Sequence, residues 1–567
     1  MMNRNLFSHF AQLPTANISR SKFSRDSSLK TSFNVGQVIP IYFDEVLPGD
    51  TFQMKTNYVC RMQPLVSSPM DDLWLDVYYF FVPNRLVWDH WEEFMGANKT
   101  SAWYPTVEYS IPQLTIPSNS SPFYGSLYDY FGLPMRKGAV SVSALPFRAY
   151  ALIMDEWFRD ENLQDPLVIS KGDASQTFTA STNTGPDSYA RGGKPFVAAK
   201  SHDYFTSCLP APQKGPDVTI EGFGGLAPVI TSELSHNNSS SPTLRFDVSG
   251  GLATEAGERM HLGLMFSGTG ESENNVDLGS FVPNSVNDGF TFRGGGVDFK
   301  AIPSNLYADM SSVSSSLTIN QLRQAVAIQQ LYERDARYGS RYTEILKGHF
   351  GVTSPDSRLQ RPEYLGGSRT AINIDQVVQT SSGTETSPQA NIAGTSLTSQ
   401  SHGDFIQSFT EHGMIIGLAV ARYRHTYQQG IPRSFSRKSR FDYYWPVLAN
   451  IGEMAVLNKE IYSDGSSLDD EVFGYQEAWA DYRYKPSLVT GEMRSGITKT
   501  LDSWHFADYY ASRPYLSSGW IREDLSNVDR VLAVSSSNAN QLFADFYFQC
   551  QTTRPMPLYS VPGLSKL

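Results

Sequence analysis

The residues whose types could do chemistry are concentrated in one charged stretch, YERDARYGSRYTEILKGHFGVTSPDSRLQRPEYLGG (residues 332–367). Its carboxylates, histidine and glycines are what a mobile active-site loop with a general acid and a general base would contain. However, five arginines stand among five carboxylates, and arginine pairs with carboxylates both inside folds and at interfaces. We therefore expect loop ordering and subunit contact here rather than catalysis. The candidate residues are Arg334, Asp335, Arg337, Arg341, Arg358, Arg361 and Glu363.

A second candidate site is the basic and aromatic run IPRSFSRKSRFDYYW (residues 431–445). Its cations could meet nucleic-acid phosphates while its rings stack on bases. The alternative is an arginine-rich contact between subunits, or a bridge to an internal protein. Both interpretations remain open at this point. The candidate residues are Arg433, Arg437, Lys438, Arg440, Phe441 and Tyr443.

The sequence contains no convincing enzyme, cofactor or metal motif. In GPDSYARGGKP (185–195), Pro195 replaces the Ser or Thr of a P-loop and Ser188 replaces its first glycine. GFGGLA (222–227) matches a dinucleotide-binding pattern, but no strand–helix–strand context surrounds it. We predict no catalytic residue, no cofactor and no bound metal.

Cysteine usage and hydropathy indicate synthesis in a reducing cytoplasm. Cys60, Cys208 and Cys550 are odd in number and far apart, which fits neither a disulfide framework nor a zinc site. The first residues have no apolar core of a signal peptide. The longest apolar run, residues 413–421, is too short to span a membrane, so we expect no membrane insertion.

The net charge of −11 is unevenly distributed along the 567 residues. Residues 215–300 contain eleven acidic and four basic residues and 15 of the 43 glycines. Residues 1–30 carry a net charge of +4, and residues 412–441 carry six basic residues and no carboxylate. Such asymmetry bears on partners rather than on fold. We interpret residues 1–30 as an extended arm that faces the interior, and residues 215–300 as a small inserted β-rich surface module.

Hydrophobic periodicity predicts a mainly β protein. Alternating or fully apolar runs predict strands within residues 35–62, 72–83, 417–430 and 540–557. Because these runs lie near both ends of the chain, we expect an antiparallel sandwich in which the two ends meet. Residues 380–402 are rich in Ser, Thr and Gly and are predicted to be a flexible loop.

Two convincing helices interrupt the strands. Phe147, Tyr150, Ala151, Met154 and Phe158 recur at helical spacing. A second helix is predicted from Thr318, with a capping box formed with Gln321, to Gly339. Its apolar residues are Ile319, Leu322, Val326 and Leu331. Residues 88–96 favour a short third helix.

Long stretches of the chain resemble the major capsid proteins of gokushoviruses, small tailless single-stranded-DNA phages of the Microviridae. The resemblance covers the charged stretch 332–367 and nearly all of the chain outside residues 215–300 and parts of 370–400. The other matching segments are RSKFSRDSSLKTSFNVGQVIPIYFDEVLPGDTF (20–52), FFVPNRLVWDHWEEFMG (80–96), DEWFRDENLQDP (155–166) and YQQGIPRSFSRKSRFDYYWPVLANIGE (427–453).

The resemblance implies a single viral jelly roll, an eight-stranded antiparallel β-sandwich, formed by residues 31–214 and 301–567 with long loops. It implies sixty copies in a T=1 icosahedral capsid, no enzyme activity, and an insert, residues 215–300, that projects outward at the threefold axes. Because the insert is acidic and exposed loops on a rigid scaffold commonly carry recognition, we expect it to contact a host surface receptor. The implied partners are packaged single-stranded DNA, a small basic internal DNA-binding protein, a pilot (minor capsid) protein and an internal scaffolding protein. The implied location is the virion, assembled in the bacterial host cytoplasm.

A second interpretation of a glycine-rich, aromatic β protein is a secreted carbohydrate-binding protein or glycosidase. The absence of a recognisable signal peptide counts against it. The two interpretations differ in the size of the assembly, because a capsid subunit forms a megadalton particle and a lectin or glycosidase forms a small oligomer.

Overall fold

The computed structural model describes residues 18–97, 99, 107–116, 124–134, 139–178, 185–216, 229–231, 246–249, 282–283, 290–294, 297–303, 306–308, 319–338, 348–350, 360–381, 383–385 and 388–559, with backbone only between 229 and 321. The chain divides into two compact units. One comprises residues 1–214 and 333–567, and the other comprises Gly215–Tyr332.

Eight long strands form the body of the first unit. In chain order they are β1 Ser27–Phe33, β2 Gln37–Val46, β3 Thr51–Met62, β4 Leu73–Pro83, β5 Glu363–Ala371, β6 Thr398–Ser408, β7 Gly413–Tyr423 and β8 Leu542–Arg554.

The strands make two antiparallel sheets with a jelly-roll order. One sheet runs β1-β8-β3-β6 and the other runs β5-β4-β7-β2. The first and last strands are therefore neighbours: β8 pairs with β3 along nearly its whole length, and on its other side residues 542–548 pair with β1 and residues 551–554 with Ser21–Ser24. The predicted sandwich with meeting ends and the mainly β fold class are confirmed.

The hydrophobic core lies between the two sheets. Along β8 every second residue is buried, and Phe546, Phe548 and Cys550 pack against β3 residues such as Tyr58. This period of two is what a sheet with one solvent face requires. The other sheet is different, because β4 and β7 are buried on both faces.

A second apolar cluster covers the outer face of the β5-β4-β7-β2 sheet. Val82 of β4 and Ile416 and Val420 of β7 meet the buried helix α1, Leu145–Ile153. Of the residues predicted at helical spacing, Phe147, Tyr150, Ala151 and Met154 are buried and Phe158 is partly buried. The helix continues as one π turn, Met154–Phe158.

Helix α2 spans Ile319–Tyr338. Its predicted cap residue Thr318 and its predicted stop Gly339 lie outside the described residues. The apolar side chains of Leu322, Val326 and Leu331 are exposed in the described chain. The predicted third helix is a single turn, Trp91–Phe94. None of the helices in the described ranges is long and apolar enough to cross a membrane.

Smaller elements decorate the sandwich. Phe196–Val197 is a short edge strand that pairs with the start of β2. Gln113–Ile116, Val140–Ser143 and Gln176–Thr177 form a three-stranded sheet. Glu453–Leu457 and Val472–Glu477 form a hairpin, as do Ile374–Val378 and Ile392–Ser396. Further single turns of helix are Leu127–Tyr130, Arg433–Ser436, Asn458–Ile461 and Ser526–Asp529.

The second unit contains short antiparallel strands. Val229–Thr231 pairs with Leu306–Ala308. Phe246–Ser249, Val297–Pro303, Phe290–Gly294 and Val282–Pro283 make a four-stranded sheet in that order. Because Val297–Pro303 pairs with two strands of the insert, the predicted boundary at residue 300 is too early, and the unit extends to Tyr332. The alternating apolar residues Leu262, Leu264 and Phe266, which favour a further strand of the insert, lie outside the described residues.

Ser21–Ser24 and β1 pair with β8, so the described part of the predicted arm, residues 18–30, runs largely extended along a sheet edge. One other prediction is corrected by the strand pairing. The predicted flexible loop 380–402 is partly ordered, because residues 392–396 belong to a hairpin and residues 398–402 begin β6. Threonine favours strands, and hydrogen bonds between Thr and Ser side chains can stabilise a pair of neighbouring strands.

Candidate subunit and nucleic-acid interfaces

Arg337, in the last turn of α2, holds together the hairpin Glu453–Leu457/Val472–Glu477. Its guanidinium lies 2.5 Å from Glu453 Oε1 and 2.5 Å from Glu477 Oε1. Glu453 and Glu477 face each other across the hairpin, so two like charges would meet there without the arginine. Arg483 also pairs with Glu477.

The other predicted residues of the charged stretch are spread over several places. Asp335 Oδ1 lies 2.7 Å from His349 Nε2, and Arg334 is exposed. The guanidinium of Arg361 lies 5.2 Å from the centre of the Trp157 ring. Glu363 begins β5, and partial burial raises its pKa. Arg341 and Arg358 lie outside the described residues.

All of these contacts are made between residues of the same chain. They do not assemble a single cluster around a substrate-sized cavity. Among the described residues, no group of three or more His, Cys, Asp or Glu side chains could hold a metal ion. Cys60, Cys208 and Cys550 are free and buried. A role for the charged stretch at a subunit contact stays a prediction.

The basic run 431–445 is neutralised in its first half. Arg433 Nη1 donates to the Ala455 carbonyl at 2.8 Å and lies 3.3 Å from Glu460 Oε1. Arg437 pairs with Asp481 and donates to the Tyr482 hydroxyl at 2.6 Å. The carboxylates that engage Arg433 and Arg437 come from later elements of the same chain.

The second half of the run remains exposed. Lys438, Arg440, Phe441 and Tyr443 face solvent, and the Arg440 guanidinium lies 4.8 Å from the Phe441 ring centre. Asp442 accepts the backbone N–H groups of Ser439 and Lys438, which lowers its pKa. Within the described residues, no carboxylate lies at ion-pair distance from Lys438 or Arg440.

The earlier cations of the 412–441 segment, Arg422 and Arg424, also contact other side chains of the chain. Arg422 of β7 and Arg369 of β5 both bind the buried Asp76 of β4. Arg424 lies 5.5 Å from the centre of the Trp74 ring. The segment therefore offers far less free positive charge than its composition indicates.

An exposed apolar surface accompanies the exposed cations. We define the aromatic surface as the exposed apolar side chains, mostly aromatic, of residues 431–451. Phe435 is 82% exposed and Val447 is 93% exposed, and the other members are Ile431, Phe441, Tyr443, Tyr444, Trp445 and Ile451. An isolated exposed ring needs no explanation, but a contiguous exposed apolar patch marks an interaction site.

Trp479 fixes the backbone beneath this surface. Its Nε1 donates to the Leu448 carbonyl at 2.8 Å, and its ring meets the Tyr444 ring edge-on at 5.7 Å. Trp479 has a φ of 62°, a left-handed conformation that is costly for a bulky residue. A cleft of about 610 Å³ adjoins the surface and is lined by Phe435, Arg437, Tyr482, Tyr484 and Leu488 among others.

Sequence reasoning missed a buried charge network behind β7. His425 Nδ1 lies 3.1 Å from both carboxylate oxygens of Asp508, and its Nε2 lies 2.9 Å from Glu523 Oε1. Burial alone would lower the pKa of His425, but the two carboxylates outweigh it and raise the pKa to about 10. Lys200 Nζ lies 3.6 Å from Asp508. Burial would raise the pKa of Asp508, but His425 and Lys200 hold it well below its usual range.

This network resembles an acid–base site only in composition. His425 has no solvent access and Asp508 and Glu523 almost none, so none of the three can meet a substrate. The four ionised groups come from segments centred on residues 200, 425, 508 and 523, and no spacing in the sequence connects them. Their role is to join distant loops to the sandwich.

The strand order defines a jelly-roll protein with long loops between its strands. A family described as "Capsid protein (F protein)" matches residues 11–564. The chain belongs to this family of phage capsid proteins, and its place is the shell of a virion.

Three relatives are similar over almost their whole length. Capsid protein VP1 of Chlamydia phage 1 is 43% identical over 591 aligned residues, which cover 98% of each chain. VP1 of Spiroplasma virus 4 is 42% identical and also covers 98% of each chain. VP1 of Bdellovibrio phage phiMH2K is 41% identical, covering 98% of this chain and 97% of the relative. The gokushovirus resemblance is confirmed, and the secreted lectin or glycosidase is wrong.

Proposed function

We propose that sixty copies of the chain form a T=1 icosahedral shell that encloses single-stranded DNA. The observation that carries this is the aromatic surface, which the chain leaves exposed on a fold whose family makes phage capsids. Large interfaces rich in aromatic residues and arginine are the expected partners of such a surface. No enzymatic step is required of the protein.

Particle formation tests this proposal directly. The full chain, expressed with an internal scaffolding protein, should elute as a megadalton species and show closed particles of one size in negative stain. A chain that remains monomeric or forms only small oligomers under those conditions contradicts the proposal.

The aromatic surface serves contacts between subunits in this proposal. A role in DNA binding would require Arg433 and Arg437 to leave Glu460 and Asp481, which are buried or nearly so. Breaking a buried pair is costly because it leaves an uncompensated charge. Lys438, Arg440, Phe441 and Tyr443 are free to contact a neighbouring subunit instead.

The charged stretch 332–367 also contributes to contacts between subunits in this proposal. Arg334 and Arg361 are exposed, while Arg337 and Asp335 are engaged inside the chain. We assign Arg334 and Arg361, with the neighbouring Arg341 and Arg358, to contacts with other subunits. Asp335 and Arg337, through their contacts within the chain, order the start of the charged stretch, and Glu363 orders its end at β5.

The inserted unit is proposed to project outward at the threefold axes and to contact a host surface receptor. It forms a compact unit of its own, and residues 215–300 carry a net charge of −7, which phosphates of a packaged genome would repel. Exposed segments on a rigid scaffold commonly carry recognition. The basic residues before β1 face the interior by the same electrostatic argument.

A replacement of Gly222–Gly296 by a short Gly/Ser linker tests the role of the insert. Particles should still assemble and hold DNA but adsorb poorly to host cells. Unchanged adsorption removes the recognition role, and failed assembly makes the insert a clamp between subunits. Co-purification of the small basic protein and the pilot protein with both kinds of particle tests those two partners.

A further inference from the structure

The outer face of the β1-β8-β3-β6 sheet carries chemistry that no motif in the sequence displays. The β5-β4-β7-β2 sheet is covered on its outer side by the cluster around α1, whereas the outward side chains of β3 and β8 reach solvent. We call this surface the open sheet face. It consists of the outward residues of β1, β3, β6, β8 and the edge strand Ser21–Ser24.

Strand register collects cations on the open sheet face. Lys55 and Arg61 lie on β3, Lys30 lies on β1, and Lys22 lies on the edge strand. Asp545 of β8 is directly opposite Lys30, with 3.5 Å between Lys30 Nζ and Asp545 Oδ2. Among the described residues, no carboxylate lies at ion-pair distance from Lys22, Lys55 or Arg61. The face is thus net positive on a chain whose net charge is −11.

The carboxylates near this face are otherwise engaged. Asp404 of β6 turns inward, where it accepts a hydrogen bond from Thr56 at 2.5 Å. Asp26, in the break between the edge strand and β1, accepts from the Cys550 backbone N–H at 3.2 Å and from Ser24. Neither carboxylate compensates Lys55 or Arg61, so the positive charge of β3 stays available.

Aromatic rings stand between these cations. Tyr547 and Phe543 of β8 are 42% and 40% exposed on the same face. Tyr547 is in register with Asn57 of β3, and Phe543 is in register with Arg61. Tyr547, Asn57 and Lys30 line a shallow depression of about 750 Å³ together with Ser399–Ser401 of β6. The remaining outward positions include the amides Gln53, Gln549 and Gln551.

We infer that the open sheet face binds single-stranded DNA, which places it on the inner surface of the shell. Lys55, Arg61 and Lys22 meet phosphates, and unpaired bases stack on Tyr547 and Phe543. A flat surface that combines cations with exposed rings is the chemistry of binding to single strands without sequence preference, because every base presents a ring face. The amides of this face can donate to and accept from any base edge.

This inference rests on the proposed function, because it names where the enclosed DNA touches the shell. It moves the DNA contact away from the run 431–445, whose Arg433 and Arg437 are already paired. It also argues against the small basic internal protein as the occupant, since the positive face would repel that partner.

The test uses the purified full chain and a fluorescent 20-nucleotide oligothymidylate, with affinity measured across a salt series. Each phosphate contact contributes about −0.7 to the slope of log K against log salt for single strands. The double variant Lys55→Gln/Arg61→Gln should make the slope less negative by about 1.4. The control Lys171→Gln/Lys499→Gln removes two exposed cations elsewhere and should leave the slope unchanged.

A ring variant separates stacking from charge. Tyr547→Ala should weaken binding by at least about fivefold with the salt slope unchanged, because stacking is not an ion-release effect. All variants should keep the thermal unfolding temperature of the parent chain, since these side chains face solvent. A salt slope for the Lys55→Gln/Arg61→Gln chain equal to that of the parent overturns the inference.

Particles provide an independent reading. DNA that carries 5-iodouracil, packaged and irradiated, should cross-link to the peptide containing Tyr547. Cross-links confined to peptides of 431–445 would overturn the sheet assignment while leaving the shell function intact. Loss of an internal protein from the double variant, with oligonucleotide affinity unchanged, would assign the face to that protein and equally overturn it. Absence of particles from the parent chain speaks against the proposed shell alone, because the oligonucleotide measurement does not need them.

Discussion

His425 Nδ1 lies 3.1 Å from both carboxylate oxygens of Asp508, and neither side chain is open to solvent. Glu523 binds the other ring nitrogen, so the imidazolium is held between two carboxylates. Removing one partner from such a group leaves buried charge without compensation. This small cluster therefore bears heavily on the stability of the subunit before any assembly occurs.

We expect His425→Gln to lower the free energy of unfolding by about 3–5 kcal/mol, because Asp508 and Glu523 lose the cation between them. Denaturant unfolding of the isolated subunit measures this. His202→Gln is the matched control, since His202 is exposed, and it should change stability by less than about 0.5 kcal/mol. A similar loss in both variants would contradict the role assigned to the network.

The same network predicts a pH dependence. The folded-state pKa of His425, about 10, is raised above its ordinary value of 6.5. Its stabilisation is therefore complete below pH 6.5 and is lost as the pH rises towards 10, at about 1.4 kcal/mol per pH unit. Asp508, whose pKa is depressed, contributes above its ordinary value of 3.8 and loses its contribution as the pH falls below it.

The measurement is the difference in unfolding free energy between the parent and His425→Gln across this range. That difference should shrink between pH 6.5 and 10. A difference that stays constant over these pH values would show that His425 does not fold in its charged form.

A third prediction concerns Arg337. Arg337→Gln should destabilise the hairpin that contains Glu453 and Glu477 by about 1–2 kcal/mol, because the facing carboxylates then repel each other and Glu453 is buried. Hydrogen exchange of residues 453–457 and 472–477 should accelerate. Arg334→Gln, three residues earlier and exposed, should leave their exchange unchanged. Equal acceleration of exchange in both variants would show that Arg337 does not hold the hairpin together.

The sandwich could be predicted because its strands carry their own pattern. Alternation along β8 and the apolar run of β4 depend only on which faces are buried, and both strands lie where the sequence indicates. β6 was missed because its first outward residues, Ser399 and Ser401, are serines and because a bulge between Gly403 and Phe405 shifts the alternation by one residue. The composition of this segment is typical of a loop, but its pairing with β3 makes it a strand.

The sites were harder to predict because their partners are distant in the chain. Arg433 and Arg437 belong to the 412–441 segment, which has no carboxylate of its own, but Glu460 and Asp481 fold back and neutralise them. The cations of the open sheet face lie between residues 22 and 61, and the rings beside them are more than 480 residues away. Only strand pairing brings these cations and rings together. Local sequence patterns therefore overestimate the free positive charge of the run 431–445 and miss the open sheet face.

The last prediction separates folding from assembly at the aromatic surface. Phe435→Ser/Val447→Ser removes two side chains that are 82% and 93% exposed in the isolated chain, so the free energy of unfolding should change by less than about 0.5 kcal/mol. If the surface is a subunit contact, both side chains become buried in the shell, and their loss should prevent or greatly slow particle formation. Sedimentation of the expressed protein with its scaffolding partner measures this.

The control for that variant is Val168→Ser, which removes an exposed apolar side chain elsewhere on the chain. It should assemble like the parent. Normal particles from Phe435→Ser/Val447→Ser would mean that these two side chains face solvent in the finished shell, and the contact would then have to lie elsewhere. Failure of both variants would indicate that assembly tolerates no change of exposed apolar area, which would deprive the aromatic surface of any special role.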